Sequence, residues 1–266
     1  MAAIATATKG CTDPFADDSF ALAWCHNTVH FAVVLQCMKK LLPILVVAAW
    51  LFGATGFAQD RLPAQKEYVP KDGSTGRVVV LVSGQKGPDN YNELATGLAE
   101  RGFDVVLVDG NDFWAKGAAG ATLFRSVIEH AQTSSHAAPG KVGVVGASLG
   151  GATALTYAAR MPQLVGAVVA QYPLTSFIKD PADFVGKMKV PVLMLAGTFD
   201  SYKGCCMIEM ARKLGEAAKA GGAPLDLVEY PGVDHGFGSD DSKRRDISAD
   251  SLRRTVEFLR ERLGGS

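Results

Sequence analysis

From Val78 onward, short apolar runs alternate with longer segments in which apolar residues recur at helical spacing. The runs Val78 to Val82, Asp104 to Val108, Lys141 to Val145, Val165 to Ala170, Val190 to Ala196 and Leu225 to Tyr230 predict strands, because they are brief, rich in valine and bounded by glycine, proline or polar residues. Between them, Tyr91 to Glu100, Thr122 to Gln132, Leu149 to Arg160, Cys205 to Ala220 and Asp250 to Leu263 predict helices. In the last of these Leu252, Val256, Leu259 and Leu263 form one apolar stripe, while Arg253, Arg254, Arg260 and Arg262 fall between them and face water. Valine runs without alternation belong to strands covered on both faces, so the order strand, helix, strand predicts a mostly parallel central sheet with helices on both sides. Residues 77–266 read as one such α/β domain and residues 59–76, with Pro63, Pro70, Gly73 and Gly76, as an extended lead-in.

The first 58 residues break the pattern. Met38-Lys39-Lys40 is followed by an apolar run from Leu41 to Ala54 and by the small-residue end Gly56-Phe57-Ala58, the layout of a secretory signal with cleavage expected after Ala58. The apolar run is short for a membrane span, which needs about 20 residues, and an uncleaved anchor is the alternative. Residues 1–37 then precede a signal that should open the protein, which points to Met38 as the start or to a disordered leader. Their Cys11, Cys25, His26, His30 and Cys37 match no zinc spacing. A periplasmic or secreted protein is expected.

Composition narrows the partners. With 27 basic and 27 acidic side chains the chain is neutral, and it has no long run of one sign, so a nucleic-acid or anionic-membrane surface is not expected. A small molecule fits better.

At the end of the Lys141 to Val145 run the chain reads Gly146-Ala147-Ser148-Leu149-Gly150-Gly151, then enters an Ala- and Leu-rich helix. This is G-x-S-x-G at a strand-to-helix turn, where glycines two before and two after the serine remove side chains that would collide. The turn lies at the carboxyl edge of a parallel sheet, where ligands bind. A serine there stands at a helix N-terminus, whose free N–H groups suit an oxyanion; Leu149 N–H is the expected donor. The second donor is expected from Ser83-Gly84-Gln85-Lys86-Gly87, at Gln85 N–H, with Gly84 as the alternative. Phosphate-binding glycine motifs are absent.

A serine hydroxyl needs a base and the base needs an orienting acid, in the chain order Ser, Asp, His. His235 is the only histidine after Ser148. The expected acid is Asp200, the first carboxylate after the Val190 to Ala196 strand, with Asp234 as its rival and a helix N-cap as its plainer role. His130 and His136 precede the serine and read as surface residues.

With Gly146-Ala-Ser-Leu-Gly-Gly151, Gly197-Thr-Phe-Asp200 and Asp234-His-Gly-Phe237 in hand, residues 77–264 resemble the α/β-hydrolase fold and, within it, the dienelactone hydrolase family. The resemblance implies a small hydrolase with an exposed cleft, no large cap domain, and neither metal nor organic cofactor. The family's namesakes use a cysteine nucleophile; serine at position 148 points instead to ordinary carboxylic esters. Thioester, peptide or acyl-transfer chemistry on the same triad, or a non-catalytic binding module, are the other readings.

Three further groups stand near the expected cleft. Phe113 and Trp114, after the Asp104 to Val108 strand, and Tyr172, after Val165 to Ala170, are candidates for lining a substrate pocket or for covering core. Cys205 and Cys206 open an expected helix and read as small apolar residues packed beside the acid loop; a reactive thiolate favoured by the helix dipole, or an adjacent-residue disulfide, are the alternatives. Their sequence spacing to other Cys and His residues suggests no zinc site.

Overall fold

The computed structural model describes residues 62–237 and 241–264. The expected leader, the signal at 38–58 and the first residues of the lead-in lie outside them. The valine-rich runs form β2 (Gly76–Val82), β3 (Phe103–Val108), β4 (Ala137–Ala147), β5 (Val165–Gln171), β6 (Val192–Gly197) and β7 (Leu225–Tyr230), and β1 (Gln65–Tyr68) comes from the lead-in. They make one seven-stranded sheet in the order β1-β3-β2-β4-β5-β6-β7. All neighbours run parallel except β1, which lies antiparallel against β3 at the edge.

Period-two alternation divides the strand side chains between two apolar layers. Val79, Leu81, Val105, Leu107, Val145 and Val169 face one side, where they meet Leu98 of α1 (Asn92–Ala99) and Val256, Leu259 and Leu263 of α6 (Asp241–Leu263). Val78, Val80, Val106, Val108, Val144 and Val168 face the other. There they meet Phe124, Val127 and Ile128 of α2 (Gly117–Ala131), Leu155 of α3 (Leu149–Thr156), Phe184 of α4 (Pro181–Gly186) and Leu214 of α5 (Ile208–Gly221). With helices on both faces, each inner strand is apolar at nearly every position, and no inserted cap domain interrupts the alternation among the described residues. No helix among them is long and apolar enough to cross a membrane.

Several expected boundaries move, among them the starts at Gly117, Ala137 and Val192, and three more have a local reason. The helix expected from Leu149 to Arg160 is α-helical only to Thr156, and a 3-10 turn, Ala158–Arg160, completes it. The last helix begins nine residues early, at Asp241, because its first two turns are polar and carry no apolar stripe to reveal them. The helix expected from Cys205 begins only at Ile208, since Met207 before it has extended backbone (φ −59°, ψ 135°).

Candidate active site

β4 ends at Ala147 and α3 begins at Leu149, so Ser148 alone makes the turn between them. Its backbone sits at φ 52°, ψ −114°, a conformation that costs a residue with a Cβ on the order of 1–3 kcal/mol and persists only where its surroundings enforce it. They do so here. Ser148 N–H donates to Gln171 O at 2.9 Å, and Ser148 O accepts from Ala152 N–H at 3.1 Å and from Leu174 N–H at 2.9 Å. A Cβ on Gly146 would fall on the carbonyl of Gly150, and one on Gly150 would fall on the carbonyls of Val82 and Ser83. Strand, turn and helix therefore pass in direct backbone contact only because these two positions are glycine.

The loops after β6 and β7 are stitched together before they reach the serine. Thr198 N–H donates to Tyr230 O at 3.0 Å, Phe199 N–H to Val233 O at 2.9 Å, and Gly232 N–H to Thr198 Oγ1 at 2.8 Å. The first loop delivers Asp200 and the second His235. Asp200 Oδ2 lies 2.7 Å from His235 Nδ1, and His235 Nε2 lies 3.1 Å from Ser148 Oγ. A carboxylate only accepts, so Nδ1 carries the hydrogen and Nε2 is left to accept from the serine hydroxyl. The other carboxylate oxygen of Asp200 accepts from Tyr202 N–H at 3.1 Å, and the Asp200 side chain is 1% exposed. Asp234, the rival acid, lines the cavity but makes no such bond to the ring.

Ser148 and His235 open into a cavity of about 340 Å³ lined also by Gln85, Lys86, Tyr91, Tyr172, Tyr202, Asp234 and Arg244. A larger depression, about 610 Å³, runs along α5 and β7 past Arg212, Glu216 and Lys219; it holds no nucleophile and base in contact, so the smaller cavity is the candidate site. Leu149 is the first residue of α3, where N–H groups have no partner within the helix. Gln85 borders the same space, its loop tied down by Asn111 Nδ2, which donates to Gln85 O at 3.1 Å and to Asp109 Oδ1 at 2.8 Å.

Two aromatic rings frame His235, and a third, Tyr91, lines the same cavity. Tyr202 stacks on the imidazole at 4.5 Å with 7° between planes, and Tyr172 meets it edge-on at 5.0 Å. Tyr91 and Tyr172 interact through their hydroxyls, and burial pushes both phenols above their ordinary pKa, Tyr172 by far the more. Both phenols therefore stay neutral. Tyr172 itself has φ 36°, a second strained position at the site.

The structure brings together Ser148, Asp200, His235, Gln85, Leu149 and Tyr172, and separates Phe113 and Trp114 from them. Phe113 has no exposed surface; its ring packs edge-on against Phe124 at 5.1 Å, inside the layer under α2, so it covers core and lines no pocket. Trp114 packs against Phe177 at 4.9 Å and is not part of the cavity wall. Sequence reasoning did not find Tyr91, Tyr202, Lys86 or Arg244. Tyr202 is only two residues after the acid, but nothing in the sequence says that its ring returns over the histidine. Cys205 and Cys206 lie ahead of α5 in the turn after Asp200, joined by a disulfide; the expectation that they open a helix is corrected.

The strand order, the elbow and the paired loops define an α/β hydrolase, and solved structures agree. Est1E from Butyrivibrio proteoclasticus matches with a TM-score of 0.57 at 17% identity, over 74% of this chain and 93% of that one. The dienelactone hydrolase-like promiscuous phosphotriesterase from metagenomic libraries matches with 0.58 at 15% identity, over 74% and 98%. At such identities the likeness is one of fold. By sequence, "Protein usf" of Aquifex pyrophilus is 26% identical over 182 residues, 66% of this chain and 69% of that one. A profile of the dienelactone hydrolase family matches residues 110–263, and the chain belongs to that family of hydrolases.

Proposed function

We propose that the protein is a serine hydrolase that cleaves carboxylic esters of small molecules through an acyl-enzyme on Ser148. One observation carries this: Ser148 Oγ is 3.1 Å from His235 Nε2 while the other ring nitrogen is held by Asp200 at 2.7 Å. His235 takes the hydroxyl proton as Ser148 Oγ attacks the ester carbonyl. The tetrahedral oxyanion rests on the N–H groups of Leu149 and Gln85, at the positive end of α3. His235 then gives its proton to the departing alcohol. Water repeats the sequence on the acyl-serine and frees the acid. Asp200 keeps the ring in the tautomer that can accept and stabilises the imidazolium that forms.

The reaction needs no metal and no organic cofactor in this scheme, since attack, proton transfer and oxyanion binding are all supplied by the chain. Among the described residues that line the cavity, Lys86 and Arg244 are basic and Asp234 is acidic, a balance that favours esters carrying negative charge of their own. The signal read from Met38 makes the enzyme an exported one, cleaved after Ala58; the N-terminal residue of protein from its own host tests this, and a mature chain that keeps residues 1–58 refutes it. For the chemistry, Ser148→Ala is expected to abolish hydrolysis of short p-nitrophenyl esters and labelling by a fluorophosphonate. Undiminished turnover in that variant would end the proposal.

A further inference from the structure

The disulfide between Cys205 and Cys206 lies against the catalytic pair rather than away from it. Cys206 is 4% exposed, and its sulfur, one carboxylate oxygen of Asp200 and one ring nitrogen of His235 all lie within 4.8 Å of one another. The mechanism above uses the acid and the base but gives the sulfur nothing to do. The sequence hid the cluster, because Asp200, Cys206 and His235 have no ligand spacing along the chain and meet only when the loops after β6 and β7 are stitched together.

While the disulfide is intact Cys206 offers no thiolate, and the pair serves Ser148. Reduction changes the chemistry of the spot. Two electrons and two protons from a dithiol open the bond, leaving Cys205 and Cys206 as thiols and the dithiol as its own disulfide. Once Cys206 gives up its proton, the buried corner offers a carboxylate, an imidazole and a thiolate, a donor set with charge −2. A second anion beside Asp200 is unfavourable unless a cation joins it. Zinc suits those atoms: sulfur at about 2.3 Å, nitrogen and oxygen at about 2.0–2.2 Å, tetrahedral, with water in the fourth place. Ligand atoms on such a tetrahedron stand roughly 3–4 Å apart, a closure from the observed limit within reach of side-chain rotation. Of the three residues, His235 borders the 340 Å³ cavity.

We infer that reduction of the Cys205–Cys206 disulfide creates a zinc site from Cys206, Asp200 and His235, so that Zn²⁺ silences the enzyme in its reduced form only. Zinc binding releases the Cys206 proton. Whichever ring nitrogen the ion takes, catalysis stops: at Nε2 the base is lost, and at Nδ1 the bond that sets its tautomer is lost. The inhibition rests on the proposed function; the metal site does not.

The full chain is first alkylated with and without a phosphine reductant, which leaves zinc free where a dithiol would take it, and the peptide bearing Cys205 and Cys206 is weighed. Both thiols are expected to be modified only after reduction; modification without reductant overturns the redox control. Zinc is then titrated against a chromophoric indicator, with ester hydrolysis followed in parallel. Reduced protein is expected to bind one more zinc per chain than oxidised protein, and to lose at least tenfold in rate, recovered by EDTA. Cys206→Ser is expected to lose that zinc and to show the same rate, relative to its own metal-free rate, with and without the ion. Cys205→Ser, which leaves Cys206 free, is expected to bind zinc with no reductant. Equal zinc binding by oxidised and reduced protein, or binding that survives Cys206→Ser, overturns the inference. Because the indicator reads metal and not turnover, a protein that takes up the zinc but hydrolyses no ester would count against the esterase reading alone.

Discussion

Asp200→Asn exchanges one oxygen for nitrogen and leaves the shape of the site almost unchanged, so its effect isolates the charge and the direction of one hydrogen bond. In the native site a carboxylate that is 1% exposed accepts His235 Nδ1–H at 2.7 Å. Asn has one oxygen and one NH₂. Tyr202 N–H, which donates to the other carboxylate oxygen at 3.1 Å, claims the amide oxygen. The NH₂ group then faces Nδ1, and two donors oppose each other unless the ring moves its hydrogen to Nε2. That second tautomer satisfies the bond but has no lone pair for Ser148. Losing a buried, charge-assisted bond costs about 1.5–3 kcal/mol, and losing the base tautomer adds to it. A total near 4–5.5 kcal/mol in the barrier corresponds to a fall in kcat of about 10³ to 10⁴. Initial rates on p-nitrophenyl acetate measure it, with KM little changed because the residue does not line the cavity. Asp234→Asn is the control, expected to keep kcat within about tenfold since Asp234 makes no bond to the ring. An Asp200→Asn enzyme with kcat within threefold of the parent, or a larger loss from Asp234→Asn, would refute the assignment of the acid.

Two further substitutions probe the frame around the site. Phe113→Ala should lower stability by about 3–5 kcal/mol, as for a large aromatic deleted from a core, while the folded fraction keeps its KM to within about twofold; a tenfold KM change at unchanged stability would put Phe113 in the pocket after all. Asp250 of α6 accepts from Tyr230 OH at 2.9 Å and from Arg253 and Arg254 at 2.6 Å each. Burial alone would raise its pKa, but these bonds outweigh it and bring it from 3.8 to about 2. The folded value lies below the unfolded one, so the stabilisation, on the order of 1 kcal/mol after solvent screening of these half-exposed pairs, is complete above about pH 4 and is lost as pH falls towards 2. Urea titrations of Asp250→Asn and parent should therefore differ most at neutral pH and converge near pH 2; a gap independent of pH would contradict the reasoning.

The inner strands were legible because burial on both faces leaves little freedom, and they differ from the expected runs at their ends only; β7, a partly buried edge strand, matches its expected run to the residue. What pattern could not show was polar. The first two turns of α6 have no stripe, and β1 is a four-residue edge strand whose residues are half-exposed or exposed. At the site, Gly146, Ser148 and Gly150 were readable because the turn they make is sterically severe, and chain order pointed to Asp200 and His235. The aromatic frame was not readable. Phe113 stood beside the right strand end but turned inward, Tyr202 returns over the histidine and Tyr91 lines the same cavity, both through loop paths that no local spacing encodes. The same holds for Cys206, whose neighbours in space are six and 29 residues away along the chain.

The central claim is that Ser148 becomes covalently acylated. Intact-protein mass spectrometry of enzyme quenched in acid during turnover of a slow p-nitrophenyl ester tests it most directly. The account predicts a species heavier by one acyl group, mapped by fragmentation to the peptide carrying Ser148 and absent from Ser148→Ala and from chains without ester. Turnover with no adduct, or an adduct on any other residue, would contradict it.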